Sequence, residues 1–514
     1  MASLCLATDL GMGFPIEHGL HATLVAARLA GRLGVDPETA RDAYYGSMLF
    51  YLGCTADAEV AAELFDEGML LTHFIPVIFG RPQETVRGIV RALGDPGASR
   101  LVRAAQGVSR LPGAARGRRQ HMTAMCEVAE LLCDRLGVPR SVRGLFADLP
   151  ERWDGKGPRR RPGAQVPLAL RISQVARDAA FQKLVGGLEH ARSTTSERAG
   201  QAFDPAVVAA VVDDPVGLLE VDHAVPVWDQ VLDAEPGVPL RLAAAEVDQA
   251  LTGMADFADL VSPHLAGHSR GVAELARAAA ERCGMSATEV LAVRRAGLVH
   301  DLGRVAVHAG VWAQAGPLSQ DHWEQVRLHA YHSERVLSRS PYLSTLGGPC
   351  AGHHERLDGS GYHRGTGAGS LSREARLLGA ADVAHALIEP RAHRPALPPE
   401  RVADLLATEA REGRLDQQAV DAVLGAVGRH LPADALPAGL TPREAEVIGL
   451  LAHGLQTKQV ARRLAISPKT ADRHVQNAYA KIGVSTRAAA AVYAMQHGLV
   501  PWGELPMSRA GERS

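Results

Sequence analysis

The stretch AVRRAGLVHDLGRVAV, residues 292–307, decides how the rest of this chain is interpreted. An apolar run typical of a helix ends in the adjacent residues His300 and Asp301, and Gly303 then permits a turn. Neutral imidazoles and carboxylates are the nitrogen and oxygen ligands that first-row metals bind. The stretch therefore predicts a buried helix that ends in two metal ligands.

Further ligand-type residues flank this stretch on other helix-like segments. In LAGHSRGVAELARAAA, His268 falls on the apolar stripe that continues through Val272 and Leu275. Asp382 lies within the apolar run ARLLGAADVAHAL, where a carboxylate is costly unless it is paired or binds metal. Each residue alone is adequately explained as core or surface, but together they predict a metal site. The seven predicted metal ligands are His268, His300, Asp301, His329, His353, His354 and Asp382.

The composition indicates a helical protein with several domains. The chain has 514 residues, and 46% of them are apolar but only 4% aromatic, a balance that favours helices over strands. A net charge of −2 excludes a polyanion-binding role for the chain as a whole, although a local basic patch stays open. Its fold class is predicted to be all-α.

The cysteines and the lack of long apolar runs indicate the cellular location of the protein. The six cysteines are scattered without a CxxC pair, which predicts reduced thiols in a cytoplasmic protein. The chain has no signal-like N-terminus and no uninterrupted apolar run of about 18 residues, so we expect neither secretion nor a membrane partner.

An internal repeat organises the first 430 residues. A segment of about 35 residues that starts at His18 recurs without a gap from His268, at an offset of 250 residues (268 − 18). Further on, ERWDGKG from Glu151 matches ERLDGSG from Glu355. These matches predict two copies of one helical domain.

The two copies differ where the ligands would lie. Phe50 and Tyr51 replace the adjacent His-Asp pair, Leu149 and Pro150 stand opposite the His-His pair, and Arg177 stands near the last carboxylate. The first copy is therefore predicted to be a scaffold, sensor or dimerisation domain without metal.

The second copy resembles the HD-GYP branch of the HD phosphohydrolase superfamily. The resemblance is carried by SPHLAGHSRGVAELA, HDLGR, LHAYHSE, HHERLDGSGYHRG and ARLLGAADVAHAL. It implies an all-helical fold, two divalent metal ions of iron or manganese with a third in some members, and hydrolysis of cyclic di-GMP. The seven residues match the family's ligands by position, and Asp301 would bridge the metal ions. The resemblance also implies that Asp301 and Arg304 are the catalytic residues. His264 is a weaker candidate for a ligand of a third metal, and otherwise a surface residue or one that supports the ligands.

The segments that would contact the substrate depart from the family pattern. Arg304 replaces the usual lysine, His363 replaces the proline of Gly-Tyr-Pro, and Arg-Ala-His-Arg at 391–394 replaces Arg-Pro-Tyr-Arg. The ligands are intact while these segments differ, so nucleotides other than cyclic di-GMP stay open as substrates. The residues predicted to bind substrate are Arg304, Gly361, Tyr362, Arg391 and Arg394.

The last 75 residues indicate a small DNA-binding module. The segment LTPREAEVIGLLAHG begins with Thr441 as an N-cap, Pro442 at the first helical position and Glu444 at the third. Residues 440–500 carry eight Lys or Arg against three acids, the charge balance expected of a surface that binds DNA phosphates. A helical bundle for protein contact is the alternative.

This module closely resembles the LuxR-type helix-turn-helix domain, which implies four helices and a homodimer on double-stranded DNA. The recognition helix would run from about Pro468 to Ile482, with Asp472, Arg473 and Gln476 facing base edges. The residues expected toward phosphates are Lys458, Lys469, Thr470, His474, Lys481 and Arg487.

The predicted function joins these parts. We expect a metal-dependent phosphohydrolase that cleaves a cyclic dinucleotide and is coupled to a transcriptional regulator. The alternative is a LuxR-type regulator that senses a nucleotide at the metal site with little turnover, and a third interpretation is hydrolysis of another nucleotide. The predicted divisions are a degenerate domain at 1–215, a linker at 216–250, the metal domain at 251–431, a linker at 432–439, the DNA-binding domain at 440–502 and a flexible tail at 503–514.

Overall fold

A computed structural model describes residues 1–56, 121–427 and 436–500 of the chain, with single positions between 58 and 106. Helices and short 3-10 turns make up the described secondary structure, apart from isolated β-bridges such as Arg391 with Arg394. The predicted all-α fold is therefore confirmed. The predicted tail at 503–514 and the linker residues 432–435 lie outside the described residues.

Contacts divide the chain into two compact units. The N-terminal unit lies within 1–246 and the C-terminal unit within 247–514, and the short segment 55–59 groups with the second unit. The six cysteines are free thiols, as predicted, and three of them are buried. Among the residues that the structure describes, none of the helices is long and apolar enough to span a membrane.

The N-terminal unit is built around the helix His18–Leu33, which packs against helices on either side of it in sequence. Residues 121–135 are also helical. The other helices of this unit have the bounds Ala2–Met12, Pro37–Met48, Arg140–Leu145, Leu168–Glu197, Pro205–Asp213, Pro215–Leu219 and Val227–Asp233.

The C-terminal unit is built around the corresponding helix, His268–Arg282 (the His268 helix), which packs against three other helices of the unit. The helices of this unit, in chain order, are Ala244–Asp259, His268–Arg282, Ala287–Val299, Ala309–Trp312, Gln320–Leu337, Pro341–Gly352, Arg373–Ile388, Pro399–Arg411, Gln417–Leu424, Pro442–Ala452, Thr457–Arg463, Pro468–Ile482 and Arg487–Gln496.

The start of the central helix has the same backbone geometry in both copies. The helices begin at His18 and His268, and each is preceded by a residue in the left-handed conformation, Glu17 with φ 76° and Gly267 with φ 79°. An L side chain rarely adopts this conformation, so its recurrence at the predicted offset of 250 residues supports the repeat.

A buried carboxylate anchors the same turn in both copies. The carboxylate of Asp259 accepts the backbone N–H of Ser269 at 2.9 Å and its hydroxyl at 2.7 Å. In the N-terminal unit, Asp9 accepts the N–H of Gly19 at 3.0 Å. The first turn of a helix has backbone N–H groups without helical partners, and these carboxylates satisfy one of them. The anchor fixes the turn that carries His268.

A second carboxylate closes the loop that follows the His-His pair. Glu355 accepts the backbone N–H of Arg364 at 2.7 Å and that of Thr366 at 2.9 Å. A Cβ on Gly361 would lie 2.4 Å from the backbone nitrogen of Arg356, so glycine is needed where this loop folds back. The hydrogen bonds of Glu355 and the close packing of Gly361 thereby fix the loop that carries Tyr362.

The first copy holds a buried cation among aromatic rings. The guanidinium of Arg177 lies 4.5 Å from the ring centre of Tyr51 and 5.7 Å from that of Phe50. Its Nη1 lies 3.4 Å from the carbonyl oxygen of Ser47. Tyr51 corresponds by offset to Asp301, so an arginine and an aromatic pair occupy the place of the ligands.

Replacing Glu355 by Gln is expected to loosen its loop, because one of the two charge-assisted hydrogen bonds is lost and each contributes about 1.5–3 kcal/mol. Hydrogen exchange of a peptide covering 355–366 should accelerate by about 10-fold or more. Glu151→Gln is the matched variant, since Glu151 accepts the N–H groups of Arg159 and Arg161 in the same way. Unchanged exchange in both loops would contradict this role.

Candidate metal centre and DNA-binding surface

The His-Asp pair reaches the interior because the chain turns sharply after it. His300 follows the last residue of the helix Ala287–Val299, and both His300 and Asp301 are fully buried. A Cβ on Gly303 would lie 2.1 Å from the carbonyl oxygen of His329, so only glycine allows this close approach. The turn thus brings the pair against the helix that carries His329.

The two oxygens of Asp301 face different histidines. Its Oδ1 lies 3.2 Å from Nε2 of His329 and 3.5 Å from Nε2 of His353. Its Oδ2 lies 2.9 Å from Nε2 of His300 and 3.4 Å from Nε2 of His268. One carboxylate therefore stands between two sets of nitrogen ligands.

All seven predicted metal ligands come together in this place. They form two groups that share Asp301, and within each group the ligand atoms lie within 4.8 Å of one another. The first group is Asp301, His329, His353 and His354, and the second is His268, His300, Asp301 and Asp382.

The helix backbone orients the imidazole rings. The Nδ1 atoms of His300, His329 and His353 each lie within hydrogen-bond distance of the carbonyl three residues earlier. A ring that donates its Nδ1–H to a carbonyl presents an unprotonated Nε2, the form that binds metal. In the neutral form of these rings, the three Nε2 atoms would therefore point into the cluster as acceptors.

The buried polar atoms of the cluster fit divalent cations. Both carboxylate oxygens of Asp301, Nε2 of His300 and Nε2 of His354 are buried, and none of them makes a hydrogen bond of normal geometry despite the close ionic contacts of Asp301. Buried polar atoms without partners are rare because each one costs free energy. Cations would satisfy all of these atoms at once, since every one of them is an electron-pair donor.

The same surroundings shift the pKa values of the ligands. Burial lowers the pKa of His268, but the charge of Glu389 and hydrogen bonds to Asp301 and Asp382 together outweigh it and raise the pKa to about 10. Burial likewise opposes the protonated form of His300, but Asp301 raises its pKa to about 9. Burial raises the pKa of Asp301, yet Arg304 and His300 hold it well below its usual value. In protein without bound metal, protonated His268 and His300 would therefore balance the negative charge of the carboxylates.

Arg304 and Tyr362 line the cluster. The Nη1 atom of Arg304 lies 2.6 Å from Oδ2 of Asp301, and its guanidinium lies 5.6 Å from the ring centre of Trp312. The ring of Tyr362 stacks on that of His354, with centroids 4.7 Å apart. Of the residues predicted to bind substrate, Arg304 and the Gly361–Tyr362 loop are therefore next to the ligands.

The other two residues predicted to bind substrate have partners within the protein. Arg391 lies 2.8 Å from the Glu389 carboxylate, and its Nη1 donates to the carbonyl of His264 at 3.0 Å. The guanidinium of Arg394 donates to several backbone carbonyls, including that of Leu387 at 3.2 Å. Contact of either residue with a substrate stays a prediction.

Sequence reasoning missed Glu389 and His385. Both are buried, and with His268 they form a third group of ligand-type side chains. Glu389 lies just beyond the end of the helix Arg373–Ile388 (the Asp382 helix), where helical spacing no longer predicts which side chains meet. The available signal was a glutamate directly after an apolar helix that already carries Asp382.

The DNA-binding module forms the predicted helix-turn-helix. Thr441 and Glu444 make a reciprocal capping box at the first helix. The recognition helix runs from Pro468 to Ile482, as expected, and is capped by Ser467. The turn and both helix ends therefore follow the signals in the sequence.

One face of the recognition helix is free for DNA. Asp472, Arg473 and Gln476 are exposed, whereas Ala471 and Val475 are buried on the opposite face. Lys458 and Lys469 are also exposed, and Thr470 and His474 are half-buried. The three side chains predicted to face base edges can thus reach a major groove together.

Two residues predicted to contact phosphates, and the helix predicted to form the dimer, make contacts within the C-terminal unit. Lys481 lies 2.7 Å from the Glu444 carboxylate, and Nε of Arg487 donates to the carbonyl of Leu451 at 3.1 Å. Residues 488–495 of the last helix are all buried, and the Gly267 N–H points to the sulfur of Met495 at 3.2 Å. Phosphate contacts by Lys481 and Arg487 and a dimer through the last helix stay predictions.

Comparisons with known proteins identify both domains. Residues 253–419 match the family model of the HD domain. Residues 438–494 match the model of bacterial regulatory proteins of the luxR family. Both resemblances predicted from the sequence are confirmed.

Two relatives extend the comparison. A 3'3'-cGAMP-specific phosphodiesterase 3 of Vibrio cholerae is 26% identical over 404 residues, which cover 77% of this chain and 87% of the relative. The cyclic di-GMP phosphodiesterase response regulator RpfG of Xanthomonas campestris is 34% identical over 148 residues, 28% of this chain and 39% of RpfG. The first match is longer than the HD domain, so the likeness also includes residues outside it.

A solved structure shares the fold. The crystal structure of the cyclic GMP-AMP-specific phosphodiesterase V-cGAP3 of V. cholerae has a TM-score of 0.55 and 23% identity. The likeness covers 84% of this chain and 97% of that one.

Loading the protein with Mn²⁺ at pH 7 is expected to release about two protons per chain, because metal displaces the protons that His268 and His300 hold below their raised pKa values. Calorimetry in buffers of different ionisation enthalpy measures this number. The release should shrink as the pH rises through about 9 to about 10, where these histidines lose their protons before metal binds. Metal binding without proton release at pH 7 would contradict these raised values.

Proposed function

We propose that this chain, an HD domain homologous to cyclic-dinucleotide phosphodiesterases joined to a LuxR-family DNA-binding domain, is a metal-dependent phosphodiesterase that also regulates transcription. The proposed substrate is a cyclic dinucleotide, with 3'3'-cGAMP and cyclic di-GMP as the two molecules to compare. The proposed cofactors are two divalent cations, iron or manganese.

The single observation that carries the activity is the position of Asp301 between two groups of ligands. A carboxylate with one oxygen toward each group fits as a bridge between two cations. Three of the surrounding histidines have their Nδ1 atoms at backbone carbonyls, so little reorganisation is needed before metal binds. The names of the relatives supply the substrate class, a phosphodiester in a cyclic dinucleotide.

The chemistry is hydrolysis of one phosphodiester bond. When bound, two divalent cations supply Lewis acidity to the phosphodiester and lower the pKa of the attacking water. One P–O bond forms to the water oxygen, one P–O bond to the ribose oxygen breaks, and the ribose oxygen ends with a proton. Asp301 and Asp382 hold negative charge beside the cations, and burial of the cluster excludes bulk water from the reacting atoms.

Arg304 and Tyr362 are the residues of this chain proposed to contact the substrate. Arg304 is a cation whose pKa is raised by Asp301 although burial lowers it, so it stays charged. Once cations neutralise Asp301, the guanidinium can donate to a phosphoryl oxygen and stabilise its developing charge. Tyr362 presents an aromatic ring at the edge of the cluster, where a purine base can stack.

The DNA-binding role rests on the exposed face of the recognition helix. Arg473 can donate to guanine and Gln476 to adenine, while Asp472 can accept from a cytosine amino group. A homodimer would read two half-sites, as helix-turn-helix dimers do. Regulation without turnover is less well supported, since the complete ligand set and the named relatives favour catalysis.

His329→Ala is expected to lower kcat/KM for the cyclic dinucleotide by more than about 100-fold, because loss of a ligand's neighbour alone typically costs 10–100-fold. The substrate is followed by chromatography with full-length, Mn²⁺-loaded protein. His322→Ala is the matched control, since His322 lies on the same helix but outside both ligand groups. Equal loss in both variants would point to a folding defect.

Metal content separates catalysis from sensing. Wild type is expected to hold two Mn²⁺ per chain and to cleave at least one of the two dinucleotides, and the double variant His300→Ala, Asp301→Ala to do neither. Two bound metals with no cleavage of either dinucleotide would contradict the enzyme and favour the sensor. No stoichiometric metal would contradict the site itself.

Arg473→Ala is expected to weaken binding to the preferred DNA site by about 1–3 kcal/mol and to relax the preference at one base pair. The site is found first by selection from random DNA with the wild-type protein. Lys458→Ala should instead weaken binding to all DNA sequences alike. It should also reduce the slope of the logarithm of the binding constant against the logarithm of salt concentration by about one. If Arg473→Ala selects the same sequence with the same affinity, the assignment of base contacts is wrong.

A further inference from the structure

A second buried cluster lies behind the metal ligands and shares His268 with them. Oε2 of Glu389 lies 2.8 Å from Nδ1 of His268, and Oε1 lies 3.2 Å from Nδ1 of His385. The guanidinium of Arg391 approaches the same carboxylate at 2.8 Å. Glu389 and His385 are 6% and 1% exposed, so this is a network of the interior.

Two carboxylates from one segment of the chain, residues 382–389, face the two ring nitrogens of His268. Asp382 faces Nε2 at 3.1 Å from within the Asp382 helix, and Glu389 faces Nδ1 from the extended residue just after that helix. Room for this packing is made by Gly271, where a Cβ would lie 1.8 Å from Nε2 of His385. The ring therefore has a carboxylate on each side.

The guanidinium of Arg391 disfavours a metal ion at this second cluster. The ligand types of His268, His385 and Glu389 suit a third cation. Arg391 places its Nη2 3.2 Å from Nδ1 of His268 and donates through Nη1 to the carbonyl of His264. A metal ion bound there would lie beside a buried, permanently charged group, an unfavourable arrangement.

We propose that Glu389 is a positioning residue for His268 and that Arg391 holds Glu389 in place. Glu389 accepts the Nδ1–H of His268, which fixes the tautomer that presents Nε2 to Asp301 and Asp382. A carboxylate in this role also makes the metal-binding nitrogen more basic. The inference rests on the proposed metal-dependent function, and it assigns Arg391 to the support of a ligand.

The test measures Mn²⁺ affinity by the electron paramagnetic resonance signal of free Mn²⁺, with full-length protein. Glu389→Ala is expected to weaken one of two Mn²⁺ sites by about 10–100-fold and to leave the number of sites at saturation unchanged. At saturating Mn²⁺, kcat should recover most of its wild-type value. Glu389→Gln should restore part of the affinity, because its amide oxygen still accepts the Nδ1–H.

Glu400→Ala is the control, since Glu400 is exposed at the start of another helix of the same domain. Unchanged Mn²⁺ affinity in Glu389→Ala would overturn the proposal. A fall from three bound Mn²⁺ to two would also overturn it, because Glu389 would then be a ligand. The titration does not need turnover, so wild-type protein that binds two Mn²⁺ without cleavage still tests Glu389 while the proposed enzyme fails.

Discussion

A carboxylate with no exposure to water must be compensated by positive charge, and Asp301 is such a carboxylate. The surrounding structure supplies that compensation through the guanidinium of Arg304 and the imidazoles of His268 and His300, whose pKa values are raised. The HD domain can be understood as a scaffold that brings these groups together around one charge. Two cations bound by the same atoms would meet this requirement more completely than protons do.

The ligands depend on residues that never touch them directly. Asp259 anchors the first turn of the His268 helix, and Glu355 closes the loop that carries Tyr362. The loop just before His268 also contacts the DNA-binding module, since the Gly267 N–H points to the sulfur of Met495 at 3.2 Å. The predicted metal site and the contact with that module therefore share a few residues of backbone.

The N-terminal copy shows which features belong to the fold and which to the chemistry. It keeps the left-handed residue before the helix, the carboxylate anchor at Asp9 and the loop closed by Glu151. Where the second copy gathers ligands around Asp301, the first places Arg177 against Tyr51. A guanidinium among aromatic rings is stabilised without a metal ion, which agrees with the prediction that the first copy binds none.

Local signals predicted much of this structure. Apolar periodicity and caps indicated helices, and the recognition helix has the bounds that the family resemblance implied. The convergence of the seven predicted ligands also followed from the sequence, because the family resemblance supplied their positions. Glu389, Arg391 and Lys481 could not be assigned their contacts in the same way. Those contacts depend on how segments far apart in the chain pack, which spacing along one helix does not report.

Anomalous X-ray diffraction from crystals loaded with Mn²⁺ tests the central claim most directly. The account predicts two anomalous peaks about 3.5–4 Å apart, one beside each oxygen of Asp301. A single peak, or two peaks that do not share Asp301, would contradict it.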